Sequence, residues 1–306
     1  MNIDIHQHHW SEQLLAALSR RKHPPYARRV GADWIVTAAG EADTPIRAHE
    51  RDLEFRRDQL RDTGIDLSVI APSSPIGAED LPFGEAQLLI DAYLAGVADL
   101  PEDFRHWGTT SVWRVDPAAV EAQLDAGAVG LAVPAGALAA PEGFERFAPV
   151  LELLERRGAP LFVHPGPGPY SALAIGTPKH SWWPALTRYI AEMNAAWHAF
   201  LIAGRPSHPQ LKVVYALLAG LAPLHAARLE VRGGPAERVR DPLVFYDTSS
   251  YGPETIAAVA EVVGAEQLVF GSDMPVVSGP QVPAGIDPAR LLEQNPARLL
   301  GLGVAL

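Results

Sequence analysis

The stretch Asn2-Ile3-Asp4-Ile5-His6-Gln7-His8 decides the fold of this chain. Its alternating isoleucines are typical of a strand, and we expect the first strand over Asn2–His6. Side chains two residues apart on an extended chain lie on the same side, so the imidazoles of His6 and His8 point in one direction. A tag remnant or two surface histidines would be the alternative, but the strand pattern directly before them argues against a tag. The stretch therefore predicts half of a metal site.

Outward from this strand, short apolar runs recur between longer segments with helical spacing, which is the pattern of repeated βα units. The candidate strands are Asn2–His6, Leu67–Ala71, His106–Val112, Ala128–Val133, Pro160–His164, Leu211–Leu217, Leu243–Asp247 and Gln267–Ser272. The candidate helices are Asp52–Thr63, Gly84–Leu100, Pro117–Ala126, Gly143–Arg157, Trp183–Gly204, Ala222–Val231, Pro253–Val263 and Pro288–Leu300. Eight such units predict an α/β fold, a (β/α)₈ TIM barrel, as a single domain over residues 1–306.

An open, doubly wound sheet gives a similar alternation of strands and helices, so the number of strands does not exclude it. A dehydrogenase of that class would carry a G-x-G-x-x-G motif after its first strand, and this chain has none there. The Gly166-Pro167-Gly168 turn is no substitute, because proline removes amide donors that a phosphate loop needs. The barrel is the favoured prediction.

Residues 20–49 are too many for a barrel connection of about 2–6 residues, and they predict an insertion after strand 1. The run Trp34-Ile35-Val36-Thr37 before Gly40 predicts a small hairpin inside it. Two further long loops, Gly166–Trp183 and Val276–Ile286, follow the fifth and eighth candidate strands. All three segments follow the carboxyl ends of strands, where a barrel builds its active site.

Composition excludes several classes of function. The 306 residues carry 25 Lys+Arg against 36 Asp+Glu, a formal net charge of −11 without a basic block, which argues against nucleic acid as a partner. Hydrophobic residues make up 48% of the chain, which is typical of a folded globular protein. The absence of cysteine excludes disulfides and thiolate metal sites. No signal sequence or membrane-length apolar stretch is visible, so we expect a cytoplasmic protein with no membrane segment.

Two other candidate strands end in groups that bind metals. The run Leu161-Phe162-Val163-His164 ends in an imidazole, and Leu268-Val269-Phe270 leads through Gly271-Ser272 to Asp273. In a closed barrel the eighth strand neighbours the first, which brings this carboxylate beside the first two imidazoles. Three imidazoles and one carboxylate suit Zn²⁺ or another borderline divalent ion and leave a coordination position for water or substrate. The expected metal ligands are His6, His8, His164 and Asp273.

These motifs resemble, in the same order along the chain, those of the amidohydrolase superfamily. The resemblance is stronger to its amidohydrolase-related branch, which includes aminocarboxymuconate-semialdehyde decarboxylase, hydroxybenzoate-type decarboxylases and pyrone-dicarboxylate lactonase. It covers nearly the whole chain and implies a (β/α)₈ barrel with one divalent metal, often zinc. Members of the branch often form dimers, so a homodimer is a further expectation. The fourth candidate strand has no lysine for the carbamate bridge of binuclear members, which also favours one metal.

The chain departs from this family at the end of the sixth candidate strand. The family usually has a histidine there, followed by a Gly-rich turn, and the matching residue of this chain is Leu217. That histidine normally polarises the substrate or assists proton transfer, so its loss removes an expected acid–base group from hydrolysis and decarboxylation alike, and the resemblance does not decide between them. His225 lies eight residues further on, in the following helix, and is a poor geometric replacement.

Several residues near these motifs are candidates for catalysis or substrate binding. Asp273, next to the metal, is the natural proton acceptor. His180, in the loop after the fifth strand, is a second candidate for proton transfer, with a surface histidine as the alternative. Arg47 has the planar fork that pairs with a carboxylate, with a solvated charge as the alternative. Trp10 and Trp183 are candidates for aromatic substrate contacts, with a core role as the alternative for Trp10.

The expected function is that of a mononuclear metal-dependent hydrolase or decarboxylase, with a small carboxylated or lactone-like organic molecule as substrate. Hydrolysis is slightly favoured because the general chemistry of the superfamily is the activation of water. The alternative is a catalytically impaired barrel that retains its metal and binds a small ligand. Leu217 is the main support for that alternative.

Overall fold

The computed structural model of the chain describes residues 1–171, 180–277 and 285–302. The strands are β1 (Ile3–His8), β2 (Tyr26–Val30), β3 (Asp33–Thr37), β4 (Thr44–Ile46), β5 (Leu67–Ala71), β6 (Phe104–His106), β7 (Leu131–Pro134), β8 (Leu161–His164), β9 (Val213–Tyr215), β10 (Val244–Asp247) and β11 (Leu268–Val269). The α-helices are α1 (Glu12–Ser19), α2 (Leu53–Thr63), α3 (Phe83–Val97), α4 (Pro117–Asp125), α5 (Pro141–Arg157), α6 (Trp182–Leu186), α7 (Arg188–Ala199), α8 (Arg205–Ser207), α9 (Ala226–Val231), α10 (Pro253–Val263) and α11 (Asn295–Leu300). Among these described helices, none combines the length and the apolar character that a membrane crossing requires.

Eight parallel strands form a ring. One sheet has the order β1-β5-β6, and a second has the order β11-β10-β9-β8-β7. The two sheets meet at both edges: Gly108, just after β6, bridges to Leu131 on β7, and Gln7 on β1 bridges to Met274 after β11. Backbone hydrogen bonds reinforce each seam, such as the one of 3.0 Å from the amide of Ile5 to the carbonyl of Phe270. The predicted (β/α)₈ barrel is confirmed.

Large aromatic side chains fill the inside of the ring. The rings of Trp107 and Phe162 are fully buried with centroids 5.1 Å apart, and His6 packs its imidazole against Phe162 at a similar distance. The indole of Trp107 donates a hydrogen bond of 2.9 Å to the carbonyl of Ile5. A rigid apolar floor therefore lies directly under the carboxyl end of β1.

The elements differ in detail from those expected from the sequence. The first strand continues to His8, whereas the third, sixth and eighth strands of the ring end earlier than expected, at His106, Tyr215 and Val269. Their last predicted residues leave the ladder because the chain turns into the rim loops there. The single helix expected over Trp183–Gly204 is divided into α6, α7 and a π-helical turn at Phe200–Gly204. Helix α1, capped by Ser11, has no counterpart among the expected helices.

The insertion after β1 is a three-stranded antiparallel sheet in the order β2-β3-β4, where the sequence predicted a hairpin. The sequence did not predict the third strand, because Pro45 lies in the middle of it. Proline is tolerated there because β4 is an edge strand, where its missing N–H is not needed for strand pairing. The sheet packs against the barrel through three buried side chains, those of Trp34, Val36 and Ile46.

The chain after β9 makes a left-handed turn with hardly any glycine. Leu217, Leu218, Ala219, Gly220 and Leu221 all have positive φ, between 49° and 63°. Such a conformation costs a residue with a Cβ roughly 1–2 kcal/mol. Burial of the Leu217 and Leu218 side chains offsets much of this cost at roughly 1.5–3 kcal/mol each. The turn is therefore strained locally and maintained by packing.

We expect Ala219→Gly to leave the free energy of unfolding almost unchanged, because relief of the strain offsets the lost methyl group and the added chain entropy. The matched control is Ala222→Gly, three residues on, where the alanine is equally buried but has no positive φ. That variant should lose about 1–2 kcal/mol, since it gains no relief. Urea unfolding of both variants measures the difference, and equal losses would contradict the strain.

Candidate metal centre

Three imidazole nitrogens and one carboxylate oxygen converge at the rim of the ring. His6 and His8 lie on β1, His164 ends β8, and Asp273 follows β11. Nε2 of His6 lies 3.2 Å from Nε2 of His8 and 3.0 Å from Nε2 of His164. Oδ1 of Asp273 lies 3.1 Å from Nε2 of His8. The structure thus brings the four sequence-predicted ligands together, with all four ligand atoms within 4.8 Å of one another.

The opposite nitrogen of each imidazole faces a hydrogen-bond acceptor. Nδ1 of His6 lies 2.6 Å from Oδ2 of Asp247, and Nδ1 of His8 lies 3.0 Å from the carbonyl oxygen of Ala71. Nδ1 of His164 lies 2.9 Å from the carbonyl oxygen of Pro165. These acceptors favour the tautomer with the proton on Nδ1, which leaves a lone pair on each Nε2.

Lone pairs therefore face lone pairs at the centre of the cluster. Neutral imidazoles with protonated Nδ1 atoms have no hydrogen to donate through Nε2, and a carboxylate only accepts. A buried group of electron donors without protons is unfavourable unless a cation lies among them. The residues present fit a divalent metal ion, and the outward hydrogen bonds that hold each imidazole are those that metal-ligating histidines usually make.

Asp247 holds the imidazole of His6 and is absent from the site residues expected from the sequence. It lies on β10, while its partner His6 lies on β1, and β11 runs between these strands. The contact across β11 requires Gly271, since a Cβ at that position would lie 2.1 Å from Oδ1 of Asp247. The glycine between the eighth strand and Asp273 is the signal that could have shown this.

Asp4 holds the seam beneath the metal ligands and does not reach the cluster. Its Oδ1 accepts the amide of Ser272 at 3.0 Å, and its Oδ2 accepts the side-chain amide of Gln7 at 2.8 Å. Burial raises the pKa of this carboxyl group, while the hydrogen bonds from its neighbours counteract part of the shift. Asp4 therefore fixes the loop that carries Asp273 against β1.

Burial and charge act differently on two of the imidazoles. Burial lowers the pKa of His164 well below its usual value, and the neighbouring His6 and His8 lower it further. Burial also lowers the pKa of His6, but the carboxylates of Asp247 and Asp273 outweigh that effect and raise it. His164 is therefore neutral at physiological pH, which is the form that binds a metal.

A cavity of about 530 Å³ opens above the cluster, a volume that suits a small-molecule substrate. Most of its wall is apolar, and its aliphatic members include Val36, Ile46, Ile76, Ile190, Leu217 and Val277. Its aromatic members are Trp10, Tyr189 and Tyr251. The side chain of Leu217 reaches the cavity from the left-handed turn after β9, so the position where the resembled family has histidine is apolar here.

Of the three residues that the sequence predicted to contact the substrate, one lines the cavity and two do not. Trp10 is buried and lines the cavity. Arg47 is not among the lining residues, because its guanidinium turns outward to pair with Asp33 at 3.0 Å. Trp183 is 53% exposed and likewise outside the lining, although α6 contributes Ala185 and Leu186 to it.

His180 lies at the start of α6, outside the residues that line the cavity. Its exposed ring stacks on Trp182 with the centroids 5.6 Å apart. The segment before it, residues 172–179, lies outside the described residues.

The chain matches the family model described as Amidohydrolase over residues 3–302. Solved structures similar to this chain cover nearly all of it, at sequence identities that show a common fold. One is an IDCase of Metarhizium anisopliae in apo form, with a TM-score of 0.77 and 18% identity, covering 99% of this chain and 97% of that one. No curated protein sequence matches the chain significantly.

Two further similar structures carry the name 5-carboxyvanillate decarboxylase. The one from Sphingomonas paucimobilis has a TM-score of 0.69 and 16% identity, and covers 99% of both chains. The one from Novosphingobium aromaticivorans, complexed with manganese and 4-hydroxy-3-methoxy-5-nitrobenzoic acid, has a TM-score of 0.72 and 16% identity, covering 99% of this chain and 96% of that one.

Replacing His6 and His8 together by alanine should abolish stoichiometric metal binding, because half of the ligand atoms are removed. Metal analysis of the purified protein by mass spectrometry measures the content, and circular dichroism checks the fold. The matched control is the pair His23→Ala and His225→Ala, which removes two exposed imidazoles. Retention of one metal ion per chain in the first variant would refute the assignment.

We expect Asp247→Asn to lower metal affinity about 10–100-fold, because the amide is a weaker acceptor for the imidazole of His6. Competition with a fluorescent chelator measures the affinity. Asp241→Asn is the control, since it makes the same change just before β10, where the carboxylate pairs with Arg205 away from the cluster. A similar affinity in both variants would show that Asp247 does not support the metal site.

Proposed function

Because the chain belongs to the amidohydrolase family, we propose that it is a metal-dependent decarboxylase that acts on a small carboxylated substrate. The observation that carries this proposal is the mostly apolar cavity above the ligand cluster, with Leu217 in its wall. Family membership confirms the expectation of an enzyme, and it lends no support to the alternative of a catalytically impaired barrel.

The apolar wall favours decarboxylation over hydrolysis. Hydrolysis of an ester, amide or lactone is helped by a base for the water and an acid for the leaving group. The histidine that the resembled branch has at position 217 would be the natural second group, and leucine cannot transfer a proton. Loss of CO₂ with uptake of a proton from solvent converts an anionic carboxylate into a neutral product, so an apolar surrounding disfavours the charged starting state relative to the products.

The four ligands would hold one divalent ion, and we propose zinc because three imidazoles and a carboxylate suit it. The ion, when bound, supplies a Lewis acid that binds and polarises the oxygen atoms of the substrate. The chain's own contribution is to orient the substrate between this centre and the aromatic surface of Trp10, and to keep bulk water away from the reacting carbon.

Asp273 is the group that we propose for the proton. The bond between the substrate carbon and its carboxyl group breaks, the electron pair stays on the carbon, and CO₂ leaves. Asp273, ionised as a ligand, first takes a proton from solvent water, and the carbon then takes that proton from its carboxyl group, which returns to the ionised form. This side chain borders the cavity and lies 3.1 Å from Nε2 of His8. His180 is proposed only as an auxiliary proton carrier at the rim.

The remaining sequence-based expectations also stay proposals. These are a cytoplasmic location, a homodimer, and a single domain over residues 1–306 with its insertion at residues 20–49. Among the expected substrate contacts, Trp10 is the one on which the proposal depends. Contact with Arg47 would require its ion pair with Asp33 to break, and contact with Trp183 would require α6 to move.

The proposed reaction predicts release of CO₂ from the metal-loaded protein when it meets a panel of hydroxylated and aminated benzoates. Asp273→Asn should lower kcat at least 100-fold for the substrate that reacts, because the amide cannot deliver the proton. Mass spectrometry of CO₂ from carboxyl-labelled substrate gives the readout, and metal content must be measured beside it. Turnover of lactones or esters without any CO₂ release would overturn decarboxylation in favour of hydrolysis.

A further inference from the structure

One wall of the cavity is acidic. The inserted sheet and the turn after it contribute Glu41 and Glu50 to the lining, together with Thr44. Neither glutamate belongs to the cluster of metal ligands. Among the described residues that line the cavity, none is a lysine or an arginine.

The neighbouring arginines are turned away from the cavity. Arg188 forms an ion pair with Glu41 but is itself only 5% exposed and outside the lining, so the cavity meets the carboxylate of the pair. Arg47 sends its guanidinium to Asp33 and donates its backbone amide to Glu50 at 2.7 Å. Each arginine therefore holds a glutamate in place while its own positive charge stays outside the lining.

A third arginine follows the same arrangement. Arg56, on α2, is buried and directs its guanidinium to the carbonyl of His8 and the side chain of Gln7, beneath the metal ligands. It is also absent from the lining. The guanidinium of Arg56 thus stabilises β1 through hydrogen bonds and does not face the cavity.

Tyr189 completes the acidic wall. Its side chain lines the cavity, and its phenol lies near the carboxyl group of Glu41 and the guanidinium of Arg188. Burial raises the pKa of the phenol, and the carboxylate of Glu41 raises it further, so the hydroxyl group keeps its proton. The wall therefore combines two carboxylates with one hydroxyl group, an arrangement that accepts hydrogen bonds more readily than it donates them.

We propose that the acidic wall, formed by Glu41, Glu50 and Tyr189, selects substrates that carry an amino or hydroxyl donor and rejects those with a second carboxylate. The inference rests on the proposed function, because it assumes that the substrate's own carboxylate lies at the metal centre. A donor group gains a charge-assisted hydrogen bond at the wall. A second carboxylate meets the carboxylates of Glu41 and Glu50 in a partly desolvated cavity whose described lining offers no lysine or arginine to pair with it.

The first test compares two ligands that differ at one ring position, 3-aminobenzoate and isophthalate, by titration calorimetry on the zinc-loaded protein. A hydrogen bond to a charged group changes affinity by roughly 10–100-fold, so we expect 3-aminobenzoate to bind at least about tenfold more tightly. Equal binding, or tighter binding of isophthalate, would overturn the inference. Failure of both ligands to bind would overturn it as well.

The second test repeats the titrations with Glu50→Gln and Glu41→Gln. Each variant removes a negative charge from the wall, and we expect it to bind isophthalate about tenfold more tightly while weakening 3-aminobenzoate. Glu230→Gln, an exposed glutamate on α9, is the control and should keep the discrimination of the unmodified protein. Thermal melting confirms the fold of each variant. Unchanged discrimination in both cavity variants would overturn the role of the wall.

Binding and turnover separate this inference from the reaction itself. The predicted order of affinities without CO₂ release from any substrate of the panel would support the acidic wall and overturn decarboxylation. CO₂ release from the panel with a preference for isophthalate would support decarboxylation and overturn the acidic wall. For a ligand that reacts, the effect of the two glutamate variants should lie mainly in KM, since neither side chain is proposed to move a proton.

Discussion

The fold is organised around one electrostatic constraint, the confinement of four electron-pair donors within 4.8 Å of one another. Such a group is unfavourable in a buried place unless a cation neutralises it. The imidazoles are nevertheless kept from turning away from one another, because the other nitrogen of each one is held by Asp247 or by a backbone carbonyl. The site is therefore arranged for a metal by the protein itself, and little reorganisation is needed on binding.

The seam between β1 and β11 holds the loop that carries Asp273 against the strand that carries His6 and His8. Gln7 bridges to Met274, Asp4 receives the amide of Ser272, and the amide of Asp273 donates to the carbonyl of His6 at 2.9 Å. Because these bonds join the first and last strands of the ring, closure of the ring brings Asp273 beside His6 and His8. The small size of Gly271 extends this coupling to β10, whose aspartate reaches across to the imidazole of His6.

The sequence was sufficient for the features that follow from strand order. Parallel strands of a barrel all end at one rim, so an imidazole or carboxylate at a strand end had to approach the others, and the four ligands could be named. Asp247 was harder to assign, because its contact with His6 depends on the missing side chain of Gly271. The acidic wall could not be predicted from the sequence either. Tertiary packing decides which member of an ion pair faces a cavity. Arg47 illustrates this, because nothing in the sequence around it indicates that its guanidinium forms an ion pair with Asp33 outside the cavity.

The left-handed turn after β9 shows how packing can preserve geometry while chemistry changes. Glycine would adopt this turn without strain, yet leucine and alanine occupy most of it, and their burial offsets the cost. The turn therefore still directs residue 217 toward the metal centre, but the group it presents is apolar. The cavity is divided as a result into a metal floor, an apolar middle and an acidic wall. A substrate with a carboxylate at one end and a hydrogen-bond donor at the other matches this division in a single orientation, which is how a largely apolar cavity can fix the position of the bond to be broken.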